Sequence, residues 1–103
     1  MTHDDYEQIS FDDVLSLVRT LDNSSVRPDG TTTQFLEITK DVNGEGVSIN
    51  GNFGGLVHFA RLILEVAKKG YLGAHQHFDE SSETDLCETS VTVCFKPADW
   101  DIT

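Results

Sequence analysis

The chain has 103 residues, 38% of them hydrophobic, and carries a net charge of −11. That length holds one domain around one core, and so acidic a surface repels nucleic acid and anionic membranes. The charge is unevenly spread. Residues 1–33 carry seven acids against Arg19 and Arg27, residues 34–78 four acids against four bases, and residues 79–103 seven acids against Lys96, giving −5, 0 and −6. Two acidic ends around a neutral middle suit a basic partner, although acidity also serves solubility alone. The start, Met1-Thr-His-Asp-Asp5, is acidic where a signal peptide is basic. The longest apolar run is interrupted by His58, Arg61 and Glu65, so it reads as no membrane span. A cytoplasmic location is expected.

The first helix is expected from Ser10, a capping residue with Asp13 three positions on and with Ile9 and Val14 at staple spacing. Phe11, Val14, Leu15, Val18 and Leu21 share one helical face. Asp12 and Asp13 suit the positive end of the helix dipole. Asn23-Ser-Ser ends the pattern, and a polar loop through Pro28-Asp-Gly30 follows.

Gln34 to Lys40 reads as a strand, with Leu36 and Ile38 on one side and Phe35, Glu37 and Thr39 on the other. Asp41 to Gly46 supplies turn residues, and Val47 and Ile49 make a second strand, close enough to pair as a hairpin. Asn52 is the expected cap of a second helix that Gly70 stops. Its expected apolar face is Leu56, Phe59, Ala60, Ile63, Leu64 and Ala67, with His58, Arg61, Glu65, Lys68 and Lys69 largely off it. Gly73 to Phe78 is the third strand and Cys87 to Phe95 the fourth, ended by Pro97. The tail Ala98–Thr103 is acidic and holds Trp100. The order α-ββ-α-ββ predicts a single α+β domain. It would have a four-stranded, mainly antiparallel sheet, one long helix packed on a face, and an N-terminal helix whose resting place is left open.

Cys87 and Cys94, seven residues apart in one strand, would lie about 23 Å from each other on opposite faces. A disulfide needs Cα atoms within about 7 Å, so reduced, packed thiols are expected.

Gly51, the Gly54-Gly55-Leu56 opening of the second helix, Ala60 and Leu64 within it, and Gly73-x-His75-x-His77-x-Asp79 stand out together. A short strand, a glycine-rich turn, a helix and a His-x-His strand in that order resemble immunity protein family thirty-two. These small bacterial proteins neutralise the toxin domains of polymorphic toxin systems. The resemblance covers about a third of the chain. It departs from the family at Gln76, where the residue between the two histidines is usually apolar. It implies stoichiometric binding of a cognate toxin.

Three features are weighed as sites. His75, His77 and Asp79 alternate, so a strand sets them on one face. They could begin a zinc site, touch a partner, or form a polar outer face bonded to neighbouring strands. The turn Gly51-Asn-Phe-Gly54-Gly55 lacks both the dinucleotide and the phosphate-loop patterns and any following lysine. Close packing of strand against helix accounts for its glycines. The cluster Asp79, Glu80, Glu83, Asp85 and Glu88 reads either as a solvated loop or as carboxylates presented to a basic groove. Tyr71, Phe78 and Trp100 would supply aromatic anchors beside it.

Catalysis has thin support. There is no G-x-S-x-G elbow, and neither cysteine has a nearby histidine in sequence. The expectation is a non-catalytic immunity protein without a cofactor. It would occlude a toxin through Asp79, Glu80, Glu83, Asp85 and Glu88, with His75 and His77 on the adjacent strand. A metal- or small-ligand-binding domain, or an acidic subunit dimerising through the first helix, are the alternatives.

Overall fold

Two helices and five short strands make up the described residues of the computed structural model, which are 10–24, 30, 33–80 and 83–97. Helix α1 runs from Phe11 to Asp22. The Ser10 hydroxyl accepts the Asp13 N–H at 3.0 Å, the cap expected there, and the acids of the first turn sit at the positive end of the dipole. Ile9 of the expected staple, Pro28 of the loop and Trp100 of the tail lie outside the described residues.

Helix α2 runs from Phe53 to Lys69, and both of its ends are set by the expected residues. The Asn52 side-chain oxygen accepts the N–H groups of Gly55 at 2.8 Å and Phe35 at 2.9 Å, so one cap ties the helix to the preceding hairpin. Gly70 closes the other end in the left-handed conformation, at φ 65°. A side chain on Gly55 would collide with the carbonyl oxygen of Phe35. Close approach of helix and strand therefore accounts for this glycine.

Strands β1 (Leu36–Lys40) and β2 (Val47–Gly51) form the expected antiparallel hairpin, with Ile38 opposite Ile49. Strand β3 is His75–Phe78. The expected fourth strand is two strands. Leu86–Cys87, β4, lies parallel to β1, and Val91–Cys94, β5, lies antiparallel to β3. The single four-stranded sheet of the sequence reading is thus replaced by a three-stranded sheet, β2-β1-β4, and a two-stranded one, β3-β5. The cause lies at Glu88–Ser90. Glu88 gives its N–H to Ile38 O, Cys87 Sγ reaches Thr89 O at 3.1 Å, and the chain leaves one sheet for the other.

Helix α2 packs against strands of both sheets. Leu36, Ile38, Leu62, Phe78 and Cys87 form the core cluster, with Phe59, Val91 and Val93 packed on it. The Phe59 and Phe78 rings lie 4.7 Å apart at 52°. The buried side of α2 is therefore Gly55, Phe59, Leu62 and Val66, whereas Leu56, Ala60 and Ala67 of the expected face are exposed. The helix is turned by about 100°, one residue's worth of rotation, from that expectation. Glycine adds no hydrophobicity to a periodic pattern, yet Gly54 and Gly55 are buried because backbone must come close there.

Helix α1 rests on α2. Its expected apolar stripe is only partly covered, with Leu15 1% exposed but Phe11, Val14 and Leu21 open to solvent. Among the described residues no helix is long and apolar enough to cross a membrane. Both thiols are free; Cys87 is buried, and Cys94, expected to be packed, is exposed.

Candidate functional site

The contact between α1 and α2 is built largely from charge. His58, Arg61, Glu65 and Lys68 recur every three or four residues along one side of α2. Asp22, the last residue of α1, is 4% exposed and receives three of the bonds. Its Oδ1 accepts from Gln34 Nε2 at 2.8 Å; its Oδ2 takes Arg61 Nε at 2.5 Å and faces His58 Nδ1 at 3.0 Å. Arg19 pairs with Glu65 at 2.5 Å, Arg61 reaches the same carboxylate at 3.2 Å, and Lys68 pairs with Asp12.

The other imidazole nitrogen, His58 Nε2, lies 2.5 Å from Glu83 Oε2. One histidine thus joins the end of α1, the face of α2 and the loop after β3. Burial disfavours charge on both His58 and Asp22. The hydrogen bonds that Glu83 and Asp22 accept from His58 nevertheless raise its pKa above the ordinary value, and those that Asp22 accepts from His58 and Arg61 lower its own. The Arg19 hydrogen bond is the main cause of a lowered pKa at Glu65. The composition of α2 carried a signal of this cluster in the spacing of its polar side chains. The partners Asp22 and Glu83 carried none, lying 36 and 25 residues away from His58.

The seven residues expected to form a binding surface separate into three groups. Glu83 and Asp85 border a hollow of about 260 Å³ together with Gln34, His58 and Thr84. Glu83 stands in the left-handed region at φ 68°, and its carboxylate is engaged by His58. Asp85 and Glu88 stitch the edge of β1. Asp85 Oδ2 accepts the Leu36 N–H at 2.8 Å, and Glu88 Oε1 accepts the Lys40 N–H at 2.7 Å. These two bonds stand where a longer β4 would have supplied carbonyl oxygens to β1.

Asp79, Glu80 and Glu88 converge on a second hollow of about 370 Å³, completed by Cys87, Thr89 and Ser90. Glu80 is exposed at its rim. Asp79 is half-buried and forms a backbone bridge with Glu83.

His75 and His77 form the third group, exposed on one face of β3 with ring centroids 4.7 Å apart, edge to face. His75 Nδ1 bonds Gly73 O at 2.8 Å, and His77 Nδ1 lies 3.0 Å from Thr92 Oγ1 on β5. Among the described residues no three of His, Cys, Asp or Glu are placed to hold one metal ion. Of the expected aromatic anchors, Tyr71 is exposed, whereas Phe78 is wholly buried in the core and has no surface to offer.

In comparisons with known proteins, no family model matches the chain, and no curated protein and no solved structure matches it.

Proposed function

We propose that this chain is an immunity protein that binds a cognate bacterial toxin domain with a basic surface and blocks it by occlusion, without turnover. The observation that carries the reading is how the charges are distributed. Arg19, Arg61 and Lys68 each pair with a carboxylate of the same chain. Asp79, Glu80 and Glu88 converge on an open hollow whose remaining wall includes Thr89 and Ser90, although one oxygen of Glu88 also holds the Lys40 N–H. With three of the seven bases neutralised within the chain and a net charge of −11, the outward field is dominated by the acids. A guanidinium or ammonium group entering the hollow would meet carboxylates and hydroxyls suited to charge-assisted bonds.

The glycine turn, the helix opening at Gly54-Gly55-Leu56 and the His75-x-His77 strand add the family resemblance to this electrostatic argument. A nuclease, whose substrate groove is basic, is the toxin class that fits such a surface. Long-range attraction would speed the encounter and make it dependent on salt. Within the surface, Glu80 is assigned to direct contact. Glu83 and Asp85 act indirectly, by holding the loop through His58 and Leu36. His75 and His77 border the contact.

The test is capture, with the purified chain as bait, from lysates of cells expressing candidate toxin domains. The expected result is one basic partner, released by moderate salt and lost with Glu80→Lys while thermal stability is unchanged. Capture that is indifferent to both salt and Glu80→Lys would contradict the electrostatic reading. No capture from lysates shown to contain the toxins would overturn the function.

A further inference from the structure

Strand β2 is the outer strand of the order β2-β1-β4. Its inner side is accounted for. Asn52 donates its N–H to Phe35 O, and Asp41 donates its own to Gly46 O. Between them the register sets Asn50 opposite Glu37 and Ser48 opposite Thr39. Antiparallel pairing alternates, so these are the hydrogen-bonded pairs, and Val47, Ile49 and Gly51 direct their N–H and C=O groups away from β1.

This edge lacks the features that usually protect one. Natural sheets guard their edges with charged side chains, prolines or bulges. From Gly46 to Ala60 there is no Asp, Glu, Lys, Arg or Pro, fifteen residues in a chain that is 24% charged. The apolar side chains along it are half open, with Val47 49% exposed, Ile49 36% and Leu56 of the adjoining helix 44%. Ile49 lies opposite Ile38 in register, so its side chain is on the sheet face that α2 covers.

We propose that β2 pairs antiparallel with β2 of a second copy of this chain, about a two-fold axis at Ile49. In that register Val47 faces Gly51 of the second copy, and Ile49 faces its own counterpart. All three positions present outward hydrogen-bonding groups, so about six backbone bonds form. The two three-stranded sheets become one of six strands, with Val47, Ile49 and Leu56 of both copies gathered on the helix-covered face.

The self-complementary pattern of the edge suits a second copy, and charge decides where that copy can approach. Each chain carries −11, so two copies repel over most of their surfaces. The uncharged edge is where they can approach at least electrostatic cost, and its pattern is complementary to itself. A basic partner gains nothing from a neutral edge and is drawn to the acids instead. The second copy therefore leaves the Asp79–Glu80–Glu88 hollow to another protein.

The experiment is light scattering coupled to size-exclusion chromatography, over a concentration series and at low and moderate salt. The wild-type chain should approach twice the 11.4 kDa of one chain, and more readily as salt screens the repulsion. Ile49→Lys and Val47→Lys should each restore the single-chain mass with an unchanged far-ultraviolet circular dichroism spectrum. Leu17→Asp, on the exposed side of α1, should leave the dimer intact. A wild-type chain that stays at single-chain mass throughout would overturn the proposal. So would a dimer that survives both lysine variants, or one that Leu17→Asp dissociates.

Discussion

Replacing Asp22 by alanine removes the carboxylate on which α1, α2 and the segment before β1 converge. Its side chain is 2% exposed and accepts from Gln34, His58 and Arg61. Stripping one partner from a fully buried pair costs about 3–5 kcal/mol, chiefly because the other charge is left buried alone. Here the loss is smaller, since Arg61 keeps Glu65 and His58 keeps Glu83. A cost of about 2 kcal/mol follows, which in a domain of this size lowers Tm by about 8–16 °C.

The pH profile gives a second readout of the same cluster. The folded pKa of His58 is raised, so its contribution is full below the ordinary 6.5 and is lost as pH rises through the higher folded value. The folded pKa of Asp22 is lowered, so its contribution is present above the ordinary 3.8 and is lost as pH falls through the lower folded value. Stability from the pair is therefore greatest between these limits. Asp22→Asn should flatten the decline on the alkaline side, because His58 then has one fewer carboxylate favouring its proton. The assays are thermal unfolding of the wild type and Asp22→Ala, and urea unfolding of the wild type and Asp22→Asn at closely spaced pH values from about 4 to 9. A Tm within about 2 °C of wild type for Asp22→Ala, together with an unaltered alkaline limb for Asp22→Asn, would refute the reasoning.

Gly55→Ala forces the Phe35 carbonyl aside and should destabilise by about 1–3 kcal/mol, measured by thermal denaturation. Phe78→Ala empties the centre of the core and should cost about 3–5 kcal/mol, enough to leave a domain of ordinary stability close to unfolding in a urea titration. Asp85→Ala leaves the Leu36 N–H without its acceptor and should cost about 1–2 kcal/mol, with faster hydrogen exchange at that amide. Unlike Glu80→Lys, it lowers stability before it alters partner capture.

The helices were legible because their ends are local chemistry. Ser10 and Asn52 cap N–H groups within three residues of themselves, and Gly70 takes a conformation that few other residues tolerate. The hairpin was legible for the same reason, its turn residues lying between two short apolar alternations. What misled was a choice between faces. Helix α2 is apolar around much of its circumference, and the side that touches the sheets begins with glycines that no hydrophobic count rewards. The run from Cys87 to Phe95 alternates well enough to read as one strand, yet its two halves find partners in different sheets. Alternation reports faces and says nothing of partners. The candidate surface was half legible. Acidic density marked Asp79, Glu80 and Glu88, which do converge, but it did not separate them from Glu83 and Asp85, which border a different hollow, nor show that Glu83, Asp85 and Glu88 all bond within the chain.

The parallel contact between β1 and β4 bears on how the chain reaches this structure. Glu37 meets Leu86 across 49 residues of sequence, whereas the hairpin joins Glu37 to Asn50 across 13. Closing the longer loop costs more chain entropy, and only two residue pairs directly repay it. The hairpin and α2 are therefore expected to form early, with docking of Leu86–Cys87 completing the sheet late, as a step slowed by its long-range topology. Because Asp85 and Glu88 secure that strand, weakening either should accelerate unfolding more than it retards folding. Late closure also means that the loop bearing Asp79 and Glu80 takes its final shape only as Cys87 enters and completes the core.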